Sequence, residues 1–421
     1  MKISTIKKTN RFYSNTIMLY CLQFSNYLFN FITVPYQTRI LGPGFFGKLG
    51  MATALTTYFQ LLLDYGFILS ATEDVASNQD DAGYLNRIFS SVTAIKFMLV
   101  FASIIILRII CFIPKFSTDW LLYFAYLLNA SIYAFLPDYI YRGLERMKLI
   151  TIRTVGVKFI FTILIFALLK KPSDYLIVPI SLAIGNLVAV LWSWIDINKR
   201  FHIHFTKVSL CQIKATLRRS TSFFASRIVS TVYTAMNTLI LGFLDPSGIV
   251  VGYYAAADKL MFTGKSALSP IADSLYPYLI KSKDFKMVKK LMLFMMPVIL
   301  LFTVVMFIIS PQFCSLLFGE DFYESGTILR IMLPVAVITL PSYVFGFPVL
   351  GAMGLSKYAN RSIYFSTAFH ILFMVFLFIA KKMNVYTVTI LMVIAEFNIL
   401  LYRLYIFAKN KGDFFERETA K

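Results

Sequence analysis

The stretch Arg39–Leu55, RILGPGFFGKLGMATAL, sets glycines and a proline between two hydrophobic runs. Two hundred residues later Leu239–Leu260, LILGFLDPSGIVVGYYAAADKL, does the same. Leu41-Gly42 aligns with Leu241-Gly242, and Phe46-Gly47 with Val251-Gly252, the second copy carrying five extra residues in its turn. Counting on from each second glycine, Ala52 meets Ala257 and Leu55 meets Leu260. Glycine suits the positive φ of a tight turn, and Pro43 or Pro246 presets a corner. The small residues that follow let helices approach closely. Matching place and register predict a duplicated unit.

The composition says where such a unit lives. Of 421 residues, 58% are hydrophobic and 15% charged, whereas soluble domains carry about 25% charged residues. Hydrophobic segments of about 20 residues recur from end to end, each long enough to cross a hydrocarbon core of about 30 Å as a helix. Twelve are read, near residues 13–34, 45–71, 88–113, 119–140, 150–169, 174–195, 221–244, 249–277, 288–309, 327–352, 362–380 and 386–408. The first follows lysines but has no small-residue cleavage site, so it reads as a retained helix and not a signal peptide. The expected fold is all-α and polytopic, about twelve transmembrane helices in two six-helix lobes. The lobes are residues 1–200 and 221–421, joined by a basic cytoplasmic linker at 201–220. Repeats an even number of spans apart keep one orientation, which makes this a parallel repeat.

The net charge of +20 would hint at nucleic acid on a soluble protein. Here the positive-inside rule accounts for most of it. With the N-terminus in the cytoplasm, inner segments collect 26 Lys and Arg and outer ones 9. Both termini are therefore expected inside, and no nucleic-acid partner is implied. Cys21, Cys111, Cys211 and Cys314 show no pair spacing, and the three histidines give no zinc pattern, so neither a disulfide nor a metal is expected.

Four of the twelve helices carry polar stripes at steps of three or four, which place them on one face. These are Thr16, Tyr20, Gln23, Tyr27 and Asn30; Thr53, Thr57, Gln60 and Asp64; Ser220, Arg227, Thr231, Thr234 and Thr238; and Lys259, Thr263, Ser266, Pro270 and Asp273. They belong to the first two helices of each half and predict a water-filled cleft. Six cations fall within spans: Lys96, Lys158, Arg227, Lys259, Lys265 and Arg403. Facing lipid, they would cost on the order of 15–20 kcal/mol, more than a typical folding stability of about 5–15 kcal/mol. A cleft with surplus positive charge suits an anion, and lipid-borne phosphate is the anion at hand. Lys259, Lys265, Arg227 and Lys96 are the candidate pyrophosphate-binding residues. Tyr20, Gln23, Tyr27, Asn30, Asn237 and Thr234 are candidate sugar and cavity contacts. Asp64 and Glu396 are candidate H+ or Na+ coupling acids. Gly264, Pro270, Pro277, Pro297, Pro334 and Pro341 are candidate bends.

Taken in order, VPYQTRILGPGFFG, LLLDYGF, ATEDVA, NTLILG, VGYYAAADKL, SPIADSLYPYL and LRIMLPVAVITLPSYVFGFPVLGAMGLSKY resemble the polysaccharide transporter family. These are O-antigen and lipid-linked oligosaccharide flippases of the multidrug/oligosaccharidyl-lipid/polysaccharide exporter superfamily. The resemblance implies two six-helix lobes, a cationic central cavity and alternating access. It implies movement of undecaprenyl-pyrophosphate-linked repeat units across a bacterial inner membrane, with no enzymatic step and no cofactor. The polysaccharide polymerase and chain-length machinery are the protein partners it suggests. One departure stands out: Glu73 occupies the segment in which the family tends to carry an arginine. A multispan polymerase or ligase, the main rival, would need a sizeable external loop, and the external connections here are short. A multidrug exporter of the same superfamily would call for an acidic cleft.

Overall fold

A computed structural model describes the backbone of residues 2–419, with side chains described over 18–412 apart from 19, 225–226 and 229–234. Among the described residues every regular element is helical. Chain contacts divide the molecule into two units, Met1–Ala235 and Met236–Lys421.

The first unit holds α1 (Lys2–Asp64), α2 (Phe67–Ser77), α3 (Ala82–Ile110), α4 (Pro114–Ser117), α5 (Trp120–Ala134), α6 (Asp138–Gly143), α7 (Met147–Leu168) and α8 (Ile177–Phe201). Helix α9 (Leu210–Leu244) runs across the division. The second unit continues with α10 (Ile249–Ser282), α11 (Phe285–Phe318), α12 (Tyr323–Met332), α13 (Pro334–Val344), α14 (Phe347–Ala352), α15 (Ser356–Ile379) and α16 (Val385–Thr419).

Several of these elements differ from their sequence reading for stateable reasons. The first two predicted spans meet within α1 at a kink on Gly42, at φ 67° and ψ 174°, where the sequence places the turn. A second break follows at Tyr65 and Gly66, both with positive φ. In the second copy of the turn the aligned Gly242 is helical, and the left-handed residue is Gly248 at φ 76°. The five extra residues moved the turn along the chain. Of the candidate bends, Pro334 opens α13. Helix α10 continues through Pro270 and Pro277, and α11 through Pro297 and Pro311. The fourth span of each half also breaks, at residues 135–137 in the first and at 333 and 345–346 in the second. The 201–220 segment is non-helical over 202–209 and already part of α9 beyond that. The non-helical stretch is pinned to α3: the His204 amide donates to Asn86 Oδ1 (2.9 Å) and the Thr206 amide to Ser90 Oγ (2.8 Å). Phe205 packs on Phe89 and Trp194.

Among the described residues eight helical stretches are long and apolar enough to cross a membrane. They lie in the third to sixth and ninth to twelfth of the predicted spans. Their outer faces are apolar and exposed, as with Phe97 and Phe101 on α3 or Phe294, Leu301 and Phe302 on α11. The chain is a multi-pass membrane protein. The polar stripes lie in α1, α9 and α10, and the described end of α9, Ala235–Leu244, is itself apolar.

Candidate functional site

The first unit contains a cavity of about 420 Å³. Helix α1 brings Thr57, Gln60 and Asp64 to it on successive turns, because those residues share a face. Helix α3 adds Lys96, α9 adds Arg227, and the broken fourth span adds Tyr133, Asp138, Tyr139 and Arg142.

Most of the charges here are paired or placed on backbone. Arg227 forms an ion pair with Asp64. Lys96 is buried and donates to the carbonyl of Ala134, the last residue of α5. A cation at that position meets the negative end of the helix dipole. Its ammonium also lies 5.6 Å from the ring centre of Tyr139. Asp138 pairs with buried Arg153 at 2.6 Å. The lining thus offers Lys96, Arg142 and Arg227 against Asp64 and Asp138, a polar site with cations in excess.

Close by, α9 is fastened to α2. Arg219 pairs with both Glu73 and Asp74. Ser220 is buried and its hydroxyl meets that of Ser70 at 2.7 Å, so this residue of the ninth-helix stripe supports packing and does not face a cleft. Gly66 allows the crossing: a Cβ there would sit 2.8 Å from Phe223 Cβ and 2.9 Å from the Phe224 nitrogen. The acidic Glu73-Asp74 pair, unlike the arginine expected at that place, takes its basic partner from α9.

The second unit separates the remaining predicted residues. Lys259 on α10 is exposed. Lys265, six residues on, is half-buried and bonded to Glu396 of α16 at 2.5 Å. Asn237, predicted to contact sugar, is buried: its Oδ1 lies 2.8 Å from His370 Nε2 and its Nδ2 donates to the Tyr254 hydroxyl (3.2 Å). It belongs to an internal hydrogen-bond cluster. Arg403, also buried, is held by Ser342, Ser362 and Ala359. In the first helix Tyr20, Gln23 and Asn30 are exposed, while the Tyr27 hydroxyl is enclosed. The side chains of Thr16, Thr231 and Thr234 lie outside the described residues. Among the described residues no His, Cys, Asp and Glu group could hold a metal. Cys111 and Cys314 are buried, Cys21 and Cys211 exposed, all four as free thiols.

Sequence reading missed Arg142, counted as an inner-loop anchor, and the role of Arg153. Their signal was the nearby Asp138, an acid inside an apolar run that needs a partner.

A family model described as polysaccharide biosynthesis protein matches residues 12–283, more than half of the chain. The chain belongs to that family. A relative in Shigella dysenteriae, named "Putative O-antigen transporter", is 26% identical over 85% of this chain and 91% of its own length. A protein of the same name in Escherichia coli K12 is 25% identical over 80% of this chain and 82% of its own. Among solved structures, the lipid II flippase MurJ in an inward closed conformation superposes with a TM-score of 0.68 at 14% identity, covering 93% of this chain and 87% of that one. An inward-facing multidrug resistance MATE family transporter of the MOP superfamily gives 0.68 at 14% identity, covering 93% and 95%. At such identities the likeness is one of fold: this family member has the architecture of MOP-superfamily transporters.

Proposed function

We propose that the chain is a flippase for undecaprenyl-pyrophosphate-linked oligosaccharide repeat units of O-antigen, capsule or exopolysaccharide, moving them from the cytoplasmic to the periplasmic leaflet of a bacterial inner membrane by alternating access. The observation that carries this reading is the polar cavity of the first unit, with Lys96, Arg142 and Arg227 in its lining, in a membrane protein whose relatives are named O-antigen transporters. Sugar hydroxyls cannot enter hydrocarbon without hydrogen-bond partners, each costing kilocalories. A polyprenyl tail never needs to leave lipid. A protein that supplies a wet, cationic path for the head group alone lowers the barrier without covalent chemistry.

In this reading Lys96, Arg227, Lys259 and Lys265 receive the pyrophosphate through charge-assisted hydrogen bonds. Tyr20, Gln23, Tyr27 and Asn30 offer sugar contacts. Residues 1–200 and 221–421 act as the two lobes, with 201–220 between them. The candidate coupling acids Asp64 and Glu396 both have cationic partners, so any coupling ion would compete with Arg227 or Lys265.

The test is the leaflet position of the lipid-linked repeat in cells lacking the protein, restored with wild type or with Lys259→Ala plus Lys265→Ala. Repeat units that stay cytoplasmic in the deletion, and remain so with an inserted double variant, support the reading. Units that reach the periplasmic leaflet but stay unpolymerised in the deletion would instead mark a polymerase.

A further inference from the structure

The broken fourth spans of the two halves are built alike. In the first, Leu144 N donates to Ile140 O (2.9 Å) and Arg146 N to Tyr141 O (2.7 Å). In the second, Met353 N donates to Val349 O (3.1 Å) and Leu355 N to Leu350 O (2.7 Å). The residue inside each turn is left-handed: Glu145 at φ 55° and Gly354 at φ 73°. The next helix starts two residues later in both, at Met147 and at Ser356.

This register continues into the fifth and sixth spans. Arg153 lies six residues beyond Met147, and Ser362 six beyond Ser356. In the sixth spans Leu191-Trp192-Ser193 matches Leu401-Tyr402-Arg403, with Lys199 and Lys409 each six residues further on. The arginine and the serine have exchanged helices, yet the contact between them is kept. Arg153 Nη1 donates to Ser193 Oγ (3.4 Å), and Arg403 Nε donates to Ser362 Oγ (3.0 Å). Both arginines are buried, 6% and 7% exposed.

Each guanidinium then reaches the break in the fourth span of its own unit. Arg153 Nη2 lies 2.6 Å from Asp138 Oδ1 at the first residue of α6. Arg403 Nη1 donates to the Ser342 carbonyl (2.5 Å) and hydroxyl (3.2 Å) near the end of α13. A Cβ at Gly346 would meet that same nitrogen at 2.8 Å. Helix ends leave carbonyls without partners. A guanidinium, with five donors in a rigid fork and a permanent charge, can gather several such acceptors at once.

We infer that Arg153 and Arg403 are equivalent positioning residues. Each staples the broken fourth span of its unit to the fifth and sixth, and the Arg–Ser pair serves in either orientation. In the first unit the staple fixes Asp138 and Tyr139 in the cavity wall. Its effect on transport rests on the proposed flippase function; its effect on the fold does not.

The test uses the full chain with Arg403→Ser, and with Ser362→Arg plus Arg403→Ser, which gives the second unit the arrangement of the first. Melting temperature and amide exchange at residues 345–347 are measured on purified protein, and transport per inserted molecule is measured in cells. The single variant should melt earlier, exchange faster at the break and lose transport by about tenfold. The transposed pair should regain most of each. A single variant indistinguishable from wild type, or a transposed pair no better than the single variant in abundance and transport, overturns the inference. Wild type that moves no lipid-linked oligosaccharide would defeat the flippase reading alone, because melting and exchange still decide the staple.

Discussion

Gly66 and Gly42 both sit at positive φ, 79° and 67°, but they differ in what surrounds them. A methyl group at Gly42 meets nothing within 4 Å, while one at Gly66 runs into the α9 backbone. Gly42→Ala should therefore cost only its backbone conformation, φ 67° and ψ 174°, in a region essentially confined to glycine, about 1–3 kcal/mol. Gly66→Ala should add an overpacking cost of about 1–3 kcal/mol, because Phe224 and Ser220 must retreat. Thermal melts of the two purified variants check the order, and equal shifts would contradict the crossing described. The sequence marks Gly42 as a turn glycine but does not reveal what Gly66 does, since the Gly66 contact spans more than 150 residues of chain. Buried polar residues were misjudged for the same reason. Ser220 reads as cleft-facing by periodicity and Asn237 as a sugar contact, whereas Ser70 and His370 claim them from distant helices.

Among the elements, the turn from α9 to α10 is the most self-contained. Asp245 accepts hydrogen bonds from the Ser247 amide (3.0 Å) and hydroxyl (2.6 Å), and from the amides of Val250 (2.7 Å) and Val251 (3.3 Å). It thereby satisfies donors at the start of α10 that have no partner inside the helix. Burial opposes its ionisation, but the Ser247 hydroxyl and the backbone amides of Val251, Val250 and Ser247 outweigh burial and hold its pKa below the usual value. For an acid so lowered, the stabilisation is whole above the unfolded pKa of about 3.9 and disappears as pH falls through the folded one. Asp245→Ala should cost about 1 kcal/mol at pH 7. The melting gap between wild type and Asp245→Asn should narrow below about pH 4. A gap unchanged from pH 7 to pH 3 would show that the carboxylate charge contributes nothing. Element existence was legible because hydrophobic runs of span length are long and repeated. Element ends were not, because prolines in α10 and α11 lie where the helix tolerates them, and the breaks are set by Arg153, Lys96 and Arg403 reaching in from elsewhere.

At the scale of the whole molecule, the charged pairs and the polar stripes make separate demands. If Lys265 and Glu396 serve mainly as an ion pair, Lys265→Glu alone should nearly abolish transport by placing two carboxylates together. Lys265→Glu plus Glu396→Lys should recover a substantial part of it. Failure of the reversed pair, with the protein inserted at wild-type level, would give one of the two side chains a role that depends on its sign, such as holding phosphate or a coupling ion. The stripes can be tested without any cargo. Eight spans among the described residues have the apolar character of lipid-crossing helices. Thr57 and Gln60 on α1, and Thr263 and Ser266 on α10, are stripe residues for which a helix in hydrocarbon has no use. With Cys21, Cys111, Cys211 and Cys314 replaced by serine or alanine, single cysteines at those four positions should react with a membrane-impermeant maleimide. Single cysteines at Leu301, Phe302 and Val304, exposed on α11, should react far more slowly, because thiols in hydrocarbon neither ionise nor meet the reagent. Equal protection at both sets would mean that the stripes are closed by interhelical hydrogen bonds, and the wet path that a glycan head group requires would have to lie elsewhere.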